Sequence, residues 1–180
     1  AWEIEDQYLD EYKVPKRLRR RVKGLLQHLR RWDMTTAKRV DTFIANSTTT
    51  QQRIQDYYGR DAMVIHPPVR DHFFEAPLPN TLDPSPQSPF LAFGRMVPYK
   101  RFDLVIEAAN ALQVPLKIAG TGPDEARLRS LAGPTVEFLG FVPEDELIDL
   151  YQSACALISP QLEDAGVINL EAQACGTPVI

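Results

Sequence analysis

Residues 89–120 read "PFLAFGRMVPYKRFDLVIEAANALQVPLKIAG", and the order of patterns inside them decides the fold. A short apolar run, "PFLAF", ends at Gly94, a loop follows, "RFDLVIEAANAL" has helical composition, and "PLKIA" is a second apolar run of strand length. The alternation continues toward residue 180. "PLKIA" leads to "PDEARLRSLA", "TVEFL" to "EDELIDLYQSA", "CALIS" to "VINLEAQAC", and "PVI" begins a fifth strand. Short buried strands alternating with helices predict right-handed crossovers and an α/β, Rossmann-like, doubly wound parallel sheet. Ligands of such sheets bind beyond the carboxyl ends of the strands, so four loops matter: "GRMVPYK", "GTGPDE", "GFVPED" and "SPQLEDAG".

Upstream the pattern differs. From Lys16 to Trp32, "KRLRRRVKGLLQHLRRW" repeats apolar residues at helical spacing with arginines on the other face, which predicts a basic amphipathic helix. "RVDTFIANS" predicts a strand, Ser47 a cap for a helix over "TTTQQRIQDYY", Gly59 its end, and "AMVIH" a further strand stopped by Pro67 and Pro68. Seven of the 15 prolines fall between Pro67 and Pro89, the composition of a linker. The predicted organisation is a first domain over 1–75, a linker over 76–89 and a second domain over 90–180.

Composition narrows the partners. The 180 residues are 44% hydrophobic and carry 20 basic against 24 acidic side chains, a globular balance that argues against nucleic acid as a partner. Eleven of the 20 cations crowd between Lys13 and Arg39, where Asp33 is the sole acid. Two cysteines in apolar settings predict a reducing, cytoplasmic compartment and no zinc cluster. An alanine start and the strand-like end "TPVI" are the expected look of a partial chain.

Two loops carry chemistry. In "FGRMVPYKR" Gly94 lets backbone approach a ligand, while Arg95 and Lys100 place two positive charges at one mouth, a clamp for a diphosphate or two solvated loop cations. In "QLEDAGVINLEAQACG" a helix starting near Gly166 turns the amides of Gly166, Val167 and Ile168 to the same mouth as an anion site. Glu163 precedes that helix and Glu171 falls about a turn and a half inside it, which suits two separate hydroxyl acceptors. A first-turn dipole partner for Glu163 and an exposed helix carboxylate for Glu171 stand as the plain alternatives. "IAGTGPDEA" is weaker, because Asp124 and Glu125 sit where a pyrophosphate would; it reads as a tight turn with acids matching the helix dipole.

Taken together, "FGRMVPYKRFDLVIEA", "LKIAGTGPDEARL", "VEFLGFVPEDELIDLYQSA" and "EDAGVINLEAQACGTPVI" resemble the retaining nucleotide-sugar-dependent glycosyltransferases of the GT-B fold, the glycosyl transferases group 1 family. Glu163 and Glu171 match its Glu-x7-Glu signature. The resemblance is strong over residues 90–180, and residues 33–75 look like the end of the family's N-terminal, acceptor-side domain.

That resemblance implies specific roles. Arg95 and Lys100 would stabilise the charge growing on the leaving diphosphate, Glu163 would bind donor-sugar hydroxyls, and Glu171 the ribose. Backbone at Gly94 and at Gly166, Val167 and Ile168 would hold phosphate or sugar, and the main chain near Val142 the base. It implies no cofactor and no required metal, since no paired aspartates stand out. The "RWD", "RVDTFIANS", "YYG" and "PPV" run is most similar to bacterial mannosyltransferases acting on cell-surface polysaccharides, making GDP-mannose the expected donor. Ala165 stands where many relatives have an aromatic residue, which loosens any inference about the sugar.

The expected function is therefore sugar transfer to a hydroxyl acceptor. A nucleotide-sugar epimerase of the same architecture and a non-catalytic nucleotide-sugar-binding module are the alternatives. The basic helix either packs its leucine stripe within its domain or meets anionic lipid, in keeping with a lipid-linked acceptor and a place at the inner face of the cell membrane.

Overall fold

The computed structural model describes residues 6, 9–10, 14–75, 77, 88–161 and 163–180. Most of the predicted linker, residues 76 and 78–87, lies outside the described residues. The chain forms two compact units, residues 1–66 and 67–180. The segment 67–75, read from the sequence as the end of the first domain, thus belongs to the second unit, where Phe73 is fully buried in the core.

In the first unit α1 (Lys16–Ala37) runs five residues past Trp32. The Thr35 and Thr36 hydroxyls donate back to the carbonyls of Arg31 and Asp33 at 2.8 Å, so they stay helical instead of breaking the turn. Strands β1 (Phe43–Ala45) and β2 (Ala62–Val64) pair in parallel around α2 (Thr48–Tyr58). Ser47 accepts from the amide of Thr50 at 3.1 Å, and Gly59 closes α2 with a left-handed φ of 61°, the start and stop that the sequence predicts. Leu18, Leu25, Leu29 and Trp32 of α1 are exposed. No helix among the described residues is long and apolar enough to cross a membrane.

The second unit contains α3 (His72–Glu75), β3 (Phe90–Phe93), α4 (Phe102–Leu112), β4 (Leu116–Ala119), α5 (Glu125–Leu131), β5 (Val136–Gly140), α6 (Glu144–Ser153) and α7 (Val167–Ala174). Strands β3, β4 and β5 are parallel neighbours in that order. On the other side of β3 the sheet continues through parallel bridges, Leu91 to Leu157 and Leu157 to Val179. The predicted strands "CALIS" and "PVI" are therefore present as single-bridge extensions. Across the sheet, the fifth, fourth, first, second and third strands of the unit follow one another.

Both faces are covered, as a parallel sheet requires. Alternation along β3 sends Leu91 into a core with Tyr151 of α6, Ala172 of α7 and Phe73 of α3. Its neighbour Ala92 enters the opposite core, with Phe102, Val105 and Ile106 of α4 and Leu128 of α5. Helices on both faces of one parallel sheet make the unit doubly wound. Strand order reverses between β3 and Leu157, and the crevice beyond their carboxyl ends is the switch point where such folds bind ligands.

Candidate active site

The loops leaving β3 and the Leu157 strand meet at that switch point. After β3 the chain turns at Gly94, whose φ of 143° is closed to other residues, and a 3-10 turn over Pro98–Lys100 follows. Arg101 then adopts a left-handed φ of 53° before α4 begins. This tight course returns Lys100 inward, where it is 9% exposed, while Arg95 stays on the surface. The guanidinium of Arg95 has no partner among the described residues.

From the other strand, Glu163 and the residues after it lead into α7, whose N-cap Gly166 has a φ of 63° and no side-chain cap. Its first amides thus have no side chain competing for them. A Cβ built on Gly94 would lie 3.9 Å from Cδ1 of Ile168, which puts the first loop against the first turn of α7. The Lys100 ammonium donates to Oε1 of Glu163, joining the two loops in an ion pair. Gln161 also donates to that oxygen at 2.6 Å and to the Ser159 hydroxyl at 3.0 Å. Gly94, Lys100, Glu163, Gly166, Val167 and Ile168 are thereby gathered in one place, with Arg95 on the same loop.

Glu171 is not the exposed helix carboxylate that sequence allowed: it is 5% exposed. Its Oε1 accepts from Nη2 of Arg70 at 3.2 Å and its Oε2 from the Tyr151 hydroxyl at 3.3 Å. Burial and then the Glu171 charge push the Tyr151 phenol far up, so it stays a hydrogen-bond donor. Val142 is half-buried against the Tyr151 core, just past β5, leaving its main chain at the end of that strand.

Gly120 and Gly122 have a role that the turn reading missed. A Cβ on Gly120 would stand 2.0 Å from the Gly94 carbonyl oxygen, and one on Gly122 would stand 2.2 Å from that of Met96. Amide bonds lock the contact, from Gly94 to the Ala119 carbonyl and from Met96 to that of Thr121, both at 3.0 Å. The two glycines let this strand end press directly on the Gly94–Met96 backbone. Asp124 and Glu125 are held by Arg127 and Arg129 at 2.7 and 2.8 Å, so that loop has the acidic helix start expected of it. Among the described residues no group of three or more His, Cys, Asp or Glu side chains is placed to hold a metal ion.

Comparison with known proteins fits this architecture. The D-inositol 3-phosphate glycosyltransferase of Streptomyces bingchenggensis is 30% identical over 171 residues, 78% of this chain and 37% of its own. The GDP-mannose-dependent monoacylated alpha-(1-6)-phosphatidylinositol monomannoside mannosyltransferase of Corynebacterium glutamicum is 35% identical over 102 residues, 48% of this chain and 27% of its own. The chain thus spans little more than a third of the length of the first of these relatives and about a quarter of the second. Among solved structures, Anabaena HepE in complex with UDP and glucose superposes with a TM-score of 0.69 at 22% identity, over 85% of this chain and 47% of that one. Staphylococcus aureus TarM does so with 0.68 at 19%, over 83% and 31%. At such identities the likeness concerns the fold, which is GT-B. Residues 80–180, more than half of the chain, match the family model described as "Glycosyl transferases group 1", and the chain belongs to that family.

Proposed function

We propose that the protein transfers a sugar from a nucleotide diphosphate sugar, with GDP-mannose the leading donor, to a hydroxyl acceptor with retained anomeric configuration. The observation carrying this reading is the meeting of the Gly94–Lys100 loop with the Glu163–Ile168 segment at the switch point, joined by Lys100 and Glu163. Exposed Arg95, buried Lys100 and the uncapped start of α7 together supply positive potential for a diphosphate.

In the reaction the bond from the anomeric carbon to the diphosphate oxygen breaks, and its electron pair goes to the leaving group. Arg95, Lys100 and the α7 amides stabilise that growing charge, a preorganised electrostatic contribution. The leaving phosphate oxygen takes the acceptor's hydroxyl proton on the same face of the sugar, and the acceptor oxygen bonds to the anomeric carbon. Glu163 holds sugar hydroxyls, Glu171 the ribose, and the backbone at Val142 the base. In the free protein Lys100 is already turned toward Glu163, so phosphate and sugar contacts are set at a common edge.

The Corynebacterium relative, by its name, uses GDP-mannose and acts on a phosphatidylinositol glycoside, which supports mannose and a lipid-linked acceptor for this protein. The basic α1 with its exposed leucines suits peripheral contact with the inner face of the cell membrane. Incubating the intact protein with GDP-mannose and candidate acceptors, then reading the anomeric proton of the product, tests the reading. Retained configuration in a new glycoside supports it; an isomerised donor or an inverted product contradicts it.

A further inference from the structure

The strongest unexplained relationship at the site is the ion pair of Arg70 with Glu171, 101 residues apart. Glu171 is a carboxylate on α7 with its side chain 7% exposed, a position where an unpaired charge is costly. Its two partners are unequal. The Tyr151 phenol offers one neutral hydrogen bond, whereas Arg70 supplies the opposite charge.

Arg70 is itself fixed on several sides. Its Nη1 pairs with Oε2 of Glu144 at the start of α6, and its guanidinium lies 5.4 Å from the Phe73 ring centre. His72 adds a contact of 3.3 Å from Nε2 to the other Glu144 oxygen. The segment carrying Arg70 is anchored by Phe73 and Val69 in the core beside Tyr151, Ala172 and Cys175. The guanidinium is thus a planar fork spread between α6 and α7, with an orientation set by its supports.

We infer that Arg70 is a positioning residue for the donor's ribose, acting through Glu171. With Arg70 in place each Glu171 oxygen receives one protein donor, which leaves acceptor capacity on both for hydroxyl groups. Without it, the buried carboxylate loses the fork that sets its orientation while it keeps the Tyr151 hydrogen bond, so it turns in its pocket. The segment 67–75, whose local sequence carries no recognisable nucleotide motif, is therefore part of the donor site. The inference rests on the proposed role of Glu171 at the ribose.

The test is a ligand cycle on the intact protein. Affinities are measured for GDP and UDP, and the tighter of the two is compared with its 2′,3′-dideoxy counterpart in wild type, Arg70→Gln, Arg70→Lys, Glu144→Gln and Glu171→Gln. Wild type is expected to favour the ribonucleotide by about tenfold or more, the scale of one or two hydrogen bonds to a charged group. Arg70→Gln and Glu171→Gln bring that ratio close to one while the dideoxy affinity barely moves. Arg70→Lys, which restores the charge without the fork, recovers part of it, and Glu144→Gln, at a half-exposed helix start, loses part of it. If Glu171→Gln keeps the wild-type ratio, the ribose role of Glu171 itself falls. Should Glu171→Gln abolish the ratio while Arg70→Gln and Arg70→Lys both keep it, the inference about Arg70 alone is overturned. Equal losses of both ligands in Arg70→Gln, with no recovery in Arg70→Lys, would mark Arg70 as merely structural and overturn it too.

Discussion

Lys100 and Glu163, 63 residues apart in sequence, meet across the mouth of the sheet as a hydrogen-bonded ion pair. Their side chains are only 11% and 27% exposed, so neither charge is simply solvated. A sequence motif that names a cation and a carboxylate thereby becomes a single physical object. Its consequence is that the two residues are coupled before any donor arrives.

That coupling predicts non-additive variants. Glu163→Ala leaves the Lys100 charge half-stranded and is expected to lower stability by about 1–3 kcal/mol, less than for a fully buried pair. Lys100→Ala should cost a similar amount, and the double variant less than the sum of the two. In turnover, Glu163→Ala is expected to lose on the order of 10²-fold. Urea titration of all four proteins, with initial rates at saturating donor, checks both claims.

The glycine contact beneath the Gly94–Lys100 loop predicts a defect far larger than the lost turn flexibility. Gly122→Ala forces a methyl into the Met96 carbonyl, and the loop backbone must move. Stability is expected to fall by about 1–3 kcal/mol. The donor KM is expected to rise, because Arg95 lies on the displaced segment. Gly24→Ala, where a Cβ meets nothing within 4 Å, serves as the control and leaves donor KM unchanged.

Alkaline stability follows from the buried end of the same core. Burial, and then the Glu171 charge, push the Cys175 thiol up to about 11 from 9.0. The folded state therefore holds this proton more tightly than the unfolded chain. The stabilisation is fully present below about pH 9 and is lost as pH rises through about 11. Denaturant titrations across that window should show a decline that is shallower in Cys175→Ala. That variant is itself less stable at neutral pH by about 1 kcal/mol.

The basic helix predicts a lipid preference. With Leu25 and Trp32 58% and 62% exposed beside a run of arginines, α1 is expected to carry the protein down with anionic vesicles. Neutral vesicles should not do so, and about 0.5 M salt should weaken the binding. Replacing Arg20 and Arg21 by glutamate, both exposed, should abolish the difference. Equal sedimentation with neutral and anionic lipid would remove the membrane role.

Much of this fold is legible in the sequence because its strands and helices announce themselves locally. "PFLAF", "PLKIA" and "TVEFL" become β3, β4 and β5, and Ser47 and Gly59 bracket α2 through backbone chemistry that needs no tertiary partner. The extension of α1 through Ala37 was hidden, since Asp33, Thr35 and Thr36 interrupt the apolar rhythm. Asp33 instead accepts from the Tyr58 hydroxyl at 2.8 Å, and the threonines bond back along the helix. Strand order is a global property, and nothing local told Leu157 to pair with Leu91.

At the site the same division holds. Lys100, Glu163 and Gly166, which the structure brings together, are named by the sequence because a loop cation, a loop carboxylate and a helix start have compact local patterns, and Arg95 is named by its place on the same loop. Arg70 is not, since its meaning comes from a carboxylate 101 residues away. Gly120 and Gly122 are visible as a turn but not as the floor under Gly94, because the crowding comes from another strand's loop.

The central claim is that the Gly94–Lys100 loop and the start of α7 bind a nucleotide diphosphate sugar. Thermal unfolding of the intact protein against GDP-, UDP- and ADP-sugars, in wild type and in Arg95→Ala, tests it most directly. Arg95 is exposed, so its replacement leaves the fold unchanged. At 100 times its dissociation constant a cognate donor adds about 2.7 kcal/mol to wild type, and Arg95→Ala should lose most of that gain. A panel in which no nucleotide sugar stabilises the protein, or in which Arg95→Ala is stabilised as fully as wild type, contradicts the account.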